Sequence, residues 1–126
     1  QIFYRLRLLL IWRVAKDDYY FKAINYIKSS VDNPYFYVFT DNIPWVNKNL
    51  LPKIEGTLVD WNRGTDSNQD MFLMTQCKHN IISMSTFSWW GAWLNNNKNK
   101  LVVTPKKWAV KLEKNKGITP SKWFTI

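Results

Sequence analysis

The chain is 126 residues long, enough for one domain with a modest hydrophobic core. Eight Trp, six Tyr and seven Phe exclude a disordered, solvating polymer, and a single Cys excludes an intramolecular disulfide framework. One His and one Cys exclude a zinc centre built from those ligands, while a formal charge of +9 calls for an anionic partner or surface.

Residues 2–14 are apolar but interrupted by Arg5, Arg7 and Arg13, and the longest uncharged run, 8–12, falls far short of the ~20 residues a spanning helix needs. Such a segment suits either a core element or a peripheral membrane contact. Residues 19–29 place Tyr20, Ala23, Ile24 and Ile27 on one helical face, with Asp17 or Asp18 as N-cap. Asp32-Asn33-Pro34 breaks that helix, and 35–40 (Tyr-Phe-Tyr-Val-Phe-Thr) carries an uninterrupted strand signature.

Asp41-Asn42 ends the strand, and Pro44 opens a short helix that runs to Leu50 and is stopped by Pro52. A second short strand spans 57–61 and feeds a polar loop, 62–69. Ser67-Asn68-Gln69-Asp70 has the shape of a capping box with Asp in place of Glu, ahead of a helix over 70–78. A third strand, 80–84, leads into the hydroxyl-rich turn Ser85-Thr86-Phe87-Ser88 and a Trp-rich helix to Asn95, and 101–104 forms a further strand.

Helices alternating with short, fully apolar strands predict an α/β fold: a Rossmann-like parallel sheet with helices on both faces. Ligands of such sheets gather at the carboxyl ends of the strands. Asp41, the 62–70 loop and the 85–88 turn all fall there. A helix opening on hydroxyl residues is an anion site through its first-turn N–H groups and its dipole. Ser85, Thr86 and Ser88 equally satisfy the preference for helix N-caps. Beyond residue 95 the chain holds eight Lys against Glu113 alone, a solvated tail or an anion-binding one. Thr104-Pro105-Lys106-Lys107-Trp108 and Thr119-Pro120-Ser121-Lys122-Trp123 repeat a pattern in which a Trp pins an extended segment to the core.

Residues 19 to about 108 resemble the C-terminal half of the bacterial α-1,2-fucosyltransferases, glycosyltransferase family 11, and 19–126 are assigned to that portion. The resemblance rests on Tyr19-Tyr20-Phe21-Lys22-Ala23-Ile24-Asn25-Tyr26-Ile27 and on Tyr37-Val38-Phe39-Thr40-Asp41-Asn42-Ile43-Pro44-Trp45-Val46. It is most specific in Asp70-Met71-Phe72-Leu73-Met74-Thr75-Gln76-Cys77-Lys78-His79-Asn80-Ile81, which runs on into Ser85-Thr86-Phe87-Ser88-Trp89-Trp90-Gly91-Ala92-Trp93-Leu94-Asn95. Pro105-Lys106-Lys107-Trp108 continues it.

That resemblance implies the donor-binding half of a two-domain GT-B enzyme, a galactoside 2-α-L-fucosyltransferase that needs no metal or other cofactor. Such an enzyme moves fucose from GDP-fucose to the 2-hydroxyl of a galactose-containing glycan, with inversion, in the cytoplasm or at the periphery of the inner membrane. It makes a nucleic-acid partner unexpected. It places Ser85, Thr86, Phe87 and Ser88 at the donor diphosphate, Asp70 at the guanine and Asp41 as a second base contact, and it names no general base. Read from the residues themselves, Trp89, Trp90 and Trp93 suit core and interdomain packing better than sugar platforms, Gly91 in a helix suits close backbone packing, Cys77 a core position and His79 a surface or supporting one.

Two departures accompany it. The family's upstream His-x-Arg-Arg-Gly-Asp-Tyr segment, whose arginines engage the diphosphate, has no counterpart here, and the N-terminal acceptor half is absent. Residues 1–18 do not read like the family. The chain is therefore expected to be a fragment or degenerate copy, with little or no activity alone, or else a non-catalytic nucleotide or polyanion binder.

Overall fold

The computed structural model describes residues 18–62, 66–83, 85–106 and 119–126. The expectations for residues 1–17 and for Lys107, Trp108, Lys111, Lys114 and Lys116 lie outside that set.

Helix α1 (Asp18–Ser30) forms where apolar residues recur at helical spacing: Tyr20, Ala23, Ile24 and Ile27 are buried as expected, and Tyr19 joins them. Asp18 in its first turn and Lys28 in its last complement the helix dipole. Asn33 then adopts φ 49°, a left-handed conformation Asn tolerates, and the chain enters β1 (Phe36–Val38).

Asn42 caps α2 (Ile43–Trp45), its side chain accepting from the Trp45 N–H at 3.2 Å. Helical winding then persists further than expected, through a π turn (Val46–Leu50) and a 3-10 turn (Leu51–Lys53). Pro52 lies inside that last turn instead of stopping the helix before it, because a first-turn N–H has no helical acceptor to lose.

After β2 (Gly56–Leu58), α3 (Ser67–Gln76) begins three residues earlier than Asp70. Asp66 occupies its cap position without a side-chain bond, so the helix starts ahead of the expected Ser67 cap, and the Asp70 carboxylate accepts from Asn62. The chain closes with β3 (Asn80–Ile81), α4 (Thr86–Trp93), β4 (Val102–Thr104) and β5 (Phe124–Thr125).

Among the described residues every strand pairing is parallel, as the apolar strands predict, but the hydrogen bonds define two small sheets, β1-β2 and β3-β4-β5. Both faces are covered. Successive residues point to opposite sides, so Val38, Ile81 and Val103 meet α1 in one cluster. Phe39, Ile82 and Val102 meet Met74 of α3, Ala92 of α4 and Trp123 in another. Tyr37 borders both clusters, which is why the strands carry no polar alternation. Fully burying one such side chain contributes about 1.5–3 kcal/mol.

The Tyr19 hydroxyl donates to the carbonyls of Ile82, at 2.5 Å, and Val103, at 3.0 Å, fastening the start of α1 over the carboxyl end of the second sheet. Burial pushes its pKa up, so it stays a protonated donor. Trp123 is buried beside Trp89, as a pinning residue should be, and β5 extends that anchor into a strand too short to announce itself in the sequence.

Candidate functional site

Parallel pairing sends the chain out of each sheet at a common end. Phe39, Val59 and Ile82, the residues just beyond β1, β2 and β3, share one apolar cluster, so the carboxyl ends of both sheets meet over one floor. The polar segments singled out in the sequence leave from that floor.

Asp70 lies in the first turn of α3 and is 8% exposed. The Asn62 amide, in the loop after β2, donates to its carboxylate at 2.9 Å. Lost hydration raises the Asp70 pKa from the ordinary carboxylate range, and the Asn62 hydrogen bond offsets part of that rise. Adjacent to this pair is a cleft of about 370 Å³ whose walls include Trp61, Asn62, Asn68, Gln69 and Phe72. Trp61 and Phe72 are 59% and 60% exposed, unusual for rings of this size. Two exposed aromatic faces, three amide side chains and a neighbouring carboxylate suit a flat heterocycle with N–H donors on its edge. Trp61 and Phe72 carried no functional signal in the sequence; their place directly after a strand and on an exposed helix face is visible only in the fold.

The Ser85 turn sits at the start of α4. Ser85 has extended backbone and caps the helix, its Oγ accepting from the Ser88 N–H at 3.3 Å. Ser88 is fully buried, with its hydroxyl 2.9 Å from the Ser85 carbonyl and 3.2 Å from the Ser83 carbonyl. Thr86 is the exposed hydroxyl of the turn, and Phe87 packs partly buried against the second cluster. Asp41 is exposed beyond β1 and does not line the Trp61–Phe72 cleft.

Behind the turn, Trp89 stacks on Trp93 at 5.2 Å and meets Trp90 edge-on at 5.0 Å. Trp89 is the packing residue, whereas Trp90 and Trp93 stay half exposed, so the helix is not all core. Gly91 is the close-packing point the sequence suggests: a Cβ there would lie 2.9 Å from Met74 Sδ and 3.0 Å from Met74 Cβ. Cys77 is buried, and burial pushes its thiol pKa well up. His79 is half-buried and accepts the Leu101 N–H through Nδ1 at 2.9 Å, a structural role. A buried amide network that the sequence did not reveal joins these elements. Asn95 donates to the Cys77 carbonyl at 2.6 Å and to Asn80 Oδ1 at 2.8 Å, while Asn80 donates to the Met74 carbonyl at 3.1 Å.

Among the described residues no group of three or more His, Cys, Asp or Glu side chains is placed to hold a metal ion, and no helix is long and apolar enough to cross a membrane. The profile described as Glycosyl transferase family 11 matches residues 8–126. The chain belongs to that family. Residues 8–18 fall within the match, contrary to the expectation that residues 1–18 do not read like the family.

Among its relatives in the family, the Escherichia coli O-antigen biosynthesis glycosyltransferase WbnK is 40% identical over 113 residues, covering 90% of this chain and 37% of that protein. An Escherichia coli alpha-1,2-colitosyltransferase is 34% identical over 122 residues, covering 94% and 41%. The galactoside alpha-(1,2)-fucosyltransferase 2 of Mus musculus is 30% identical over 88 residues, covering 67% and 25%. The chain thus spans well under half the length of the curated relatives it matches. No solved structure matches it significantly.

Proposed function

We propose that this chain is the donor-binding portion of a family 11 transferase, a Rossmann-like half of a GT-B enzyme. Its donor is GDP-fucose and its reaction is inverting, metal-independent transfer to the 2-hydroxyl of a galactoside. The observation that supports this most is the shared floor under the Asp70–Asn62 pair and the Ser85 turn, which puts a heterocycle cleft and a helix start at the same strand ends.

Asp70 receives the N–H edge of the guanine, and Asn62 fixes the carboxylate that does so. The diphosphate lies at the start of α4, where first-turn N–H groups lack helical acceptors and the dipole favours anions. Thr86 adds a hydroxyl to that contact, Ser85 and Ser88 hold the turn in shape, and Phe87 anchors it to the core. Asp41 makes an outer contact to the donor from the end of β1. Breaking the sugar–phosphate bond leaves charge on the departing GDP, and stabilising that charge is the work this portion contributes. No side chain here is assigned as general base.

The sequence contains no Arg-bearing diphosphate segment, so the chain alone binds the donor without transferring it. A second reading keeps the site and changes the sugar: the 34% identity to an alpha-1,2-colitosyltransferase favours colitose as the transferred group. Titration of GDP, guanosine and inorganic diphosphate against the 126-residue chain tests the proposal. GDP should bind well above either part, and Thr86→Glu should abolish the diphosphate contribution while leaving guanosine unchanged. Fucosyl transfer to lactose by the chain alone would contradict the assignment of catalysis to absent arginines.

A further inference from the structure

A second cleft, of about 400 Å³, opens at the amino end of the β3-β4-β5 sheet, where Trp93, Lys98, Lys100, Ser121, Lys122 and Trp123 converge. Lys98 and Lys100 precede β4, and Ser121 to Trp123 precede β5, so these residues gather at the amino ends of the strands. The Ser85 turn follows β3 at the carboxyl end. This cleft is therefore independent of the donor site proposed above.

Its wall is preorganised. Trp89 stacks on one face of Trp93 with an interplanar angle of 11°, and Trp89 in turn rests against Trp123 at 5.7 Å. Trp93 is nevertheless 51% exposed, so an indole held from behind presents a face to solvent. Lys100 is committed to the frame: its ammonium donates to the carbonyls of Ala92, Asn95 and Trp93 at 2.8, 2.9 and 3.3 Å, capping the end of α4 beneath that indole. Those bonds use all three of its protons. The exposed Lys98 and Lys122 are left as cations at the mouth.

We infer that this cleft binds a hexose ring bearing one anionic group, with its C–H face on Trp93 and its carboxylate or phosphate between Lys98 and Lys122. The indole face is the negative end of an aromatic quadrupole and attracts the weakly positive C–H edge of a pyranose. Lysine supplies a mobile point charge and three donors but no acceptor. Two cations beside an indole face match the anion of a sugar acid or sugar phosphate, which needs donors alone. Concavity argues against a flat lipid surface, which a projecting Trp would enter.

Tryptophan fluorescence and calorimetry of the 126-residue chain test this with galacturonate, galactose 6-phosphate, galactose and inorganic phosphate at fixed ionic strength. Galacturonate and galactose 6-phosphate separate carboxylate from phosphate as the anion. At least one should bind about tenfold more tightly than either galactose or inorganic phosphate. The Lys98→Ala/Lys122→Ala pair, both surface changes, should lower that affinity about tenfold, and Trp93→Ala should remove the fluorescence response. Trp93→Phe, which keeps an aromatic face, should retain binding and guards against misreading a folding defect. Equal binding of inorganic phosphate, equal binding of AMP, binding indifferent to the lysine pair, or binding only to phosphatidylglycerol vesicles would each overturn the inference. Thr86→Glu should leave this binding unchanged, which separates its failure from failure of the donor-site reading.

Discussion

The Asn62 amide donates to the Asp70 carboxylate at 2.9 Å, tying the loop after β2 to the first turn of α3 beside the Trp61–Phe72 cleft. That bond joins residues eight apart in the chain. It holds a carboxylate in a partly dry position, and several consequences are measurable.

The first is a pH dependence. Burial raises the Asp70 pKa in the folded chain above its value when unfolded. In the window between those two values the folded state binds the extra proton, so stability falls as pH rises through it. Ligand binding has the opposite sign, because only the ionised carboxylate accepts two N–H donors. GDP affinity should therefore decline on acidification at a pH above the ordinary Asp range, and Asp70→Asn should flatten the profile while slightly stabilising the apo chain near neutral pH. Calorimetric titrations carried from the ordinary carboxylate range up to neutral pH check both signs.

Gly91→Ala sets two effects against each other. Alanine favours a helix by about 1 kcal/mol over glycine. A methyl 2.9 Å from Met74 Sδ and 3.0 Å from its Cβ forces α3 and α4 apart, and overpacking of that kind costs about 1–3 kcal/mol. Urea denaturation should show net destabilisation, and Met74→Ala in the same chain, which removes Sδ but keeps Cβ, should relieve part of the cost of Gly91→Ala. A stabilising single mutant would mean that the two helices do not touch there.

Asn95→Ala removes the donor to Cys77 O and Asn80 Oδ1, both buried, and should cost about 1–3 kcal/mol. Asn97→Ala, whose amide bonds the carbonyl of exposed Lys78, should cost under about 1 kcal/mol. Comparing the two midpoints under the same denaturant separates a buried network from a surface contact.

The Cys77 thiol is buried and its pKa is pushed well up, so little thiolate exists at neutral pH. Alkylation should be slow in the folded chain and rapid in denaturant. Rapid labelling under native conditions would place this part of the core in exchange with solvent.

The fold was legible where burial writes itself into the chain. Uninterrupted apolar runs at 35–40 and 101–104 announce strands covered on both faces, and Phe39 and Val38, or Val102 and Val103, indeed go to opposite clusters. The helical face of α1 was equally plain. β5 was not, because two exposed residues after a buried Trp carry no periodicity. The start of α3 was misplaced because Asp66 and Ser67 are equally good caps by composition, and the position actually used makes no side-chain bond.

The candidate site divides the same way. Asp70 and the Ser85 turn stand out through residue type and their place after strands. Ser88 looks like a ligand hydroxyl in the sequence, yet its hydrogen bonds turn inward to Ser83 and Ser85. The cleft beside Asp70 depends on Trp61 and Phe72, brought together from a loop and a helix, and such pairings leave no trace in linear spacing.

The central claim is that the Asp70–Asn62 pair reads a guanine at the carboxyl edge of this sheet. Calorimetry of GDP and ADP against the 126-residue chain and its Asp70→Ala variant, at two salt concentrations, tests it most directly. The account predicts that GDP is preferred over ADP by about tenfold or more, at either salt, and that the preference disappears in the variant. Equal affinity for the two nucleotides, falling steeply with salt and unchanged by Asp70→Ala, would contradict it and leave only a basic surface attracting phosphate.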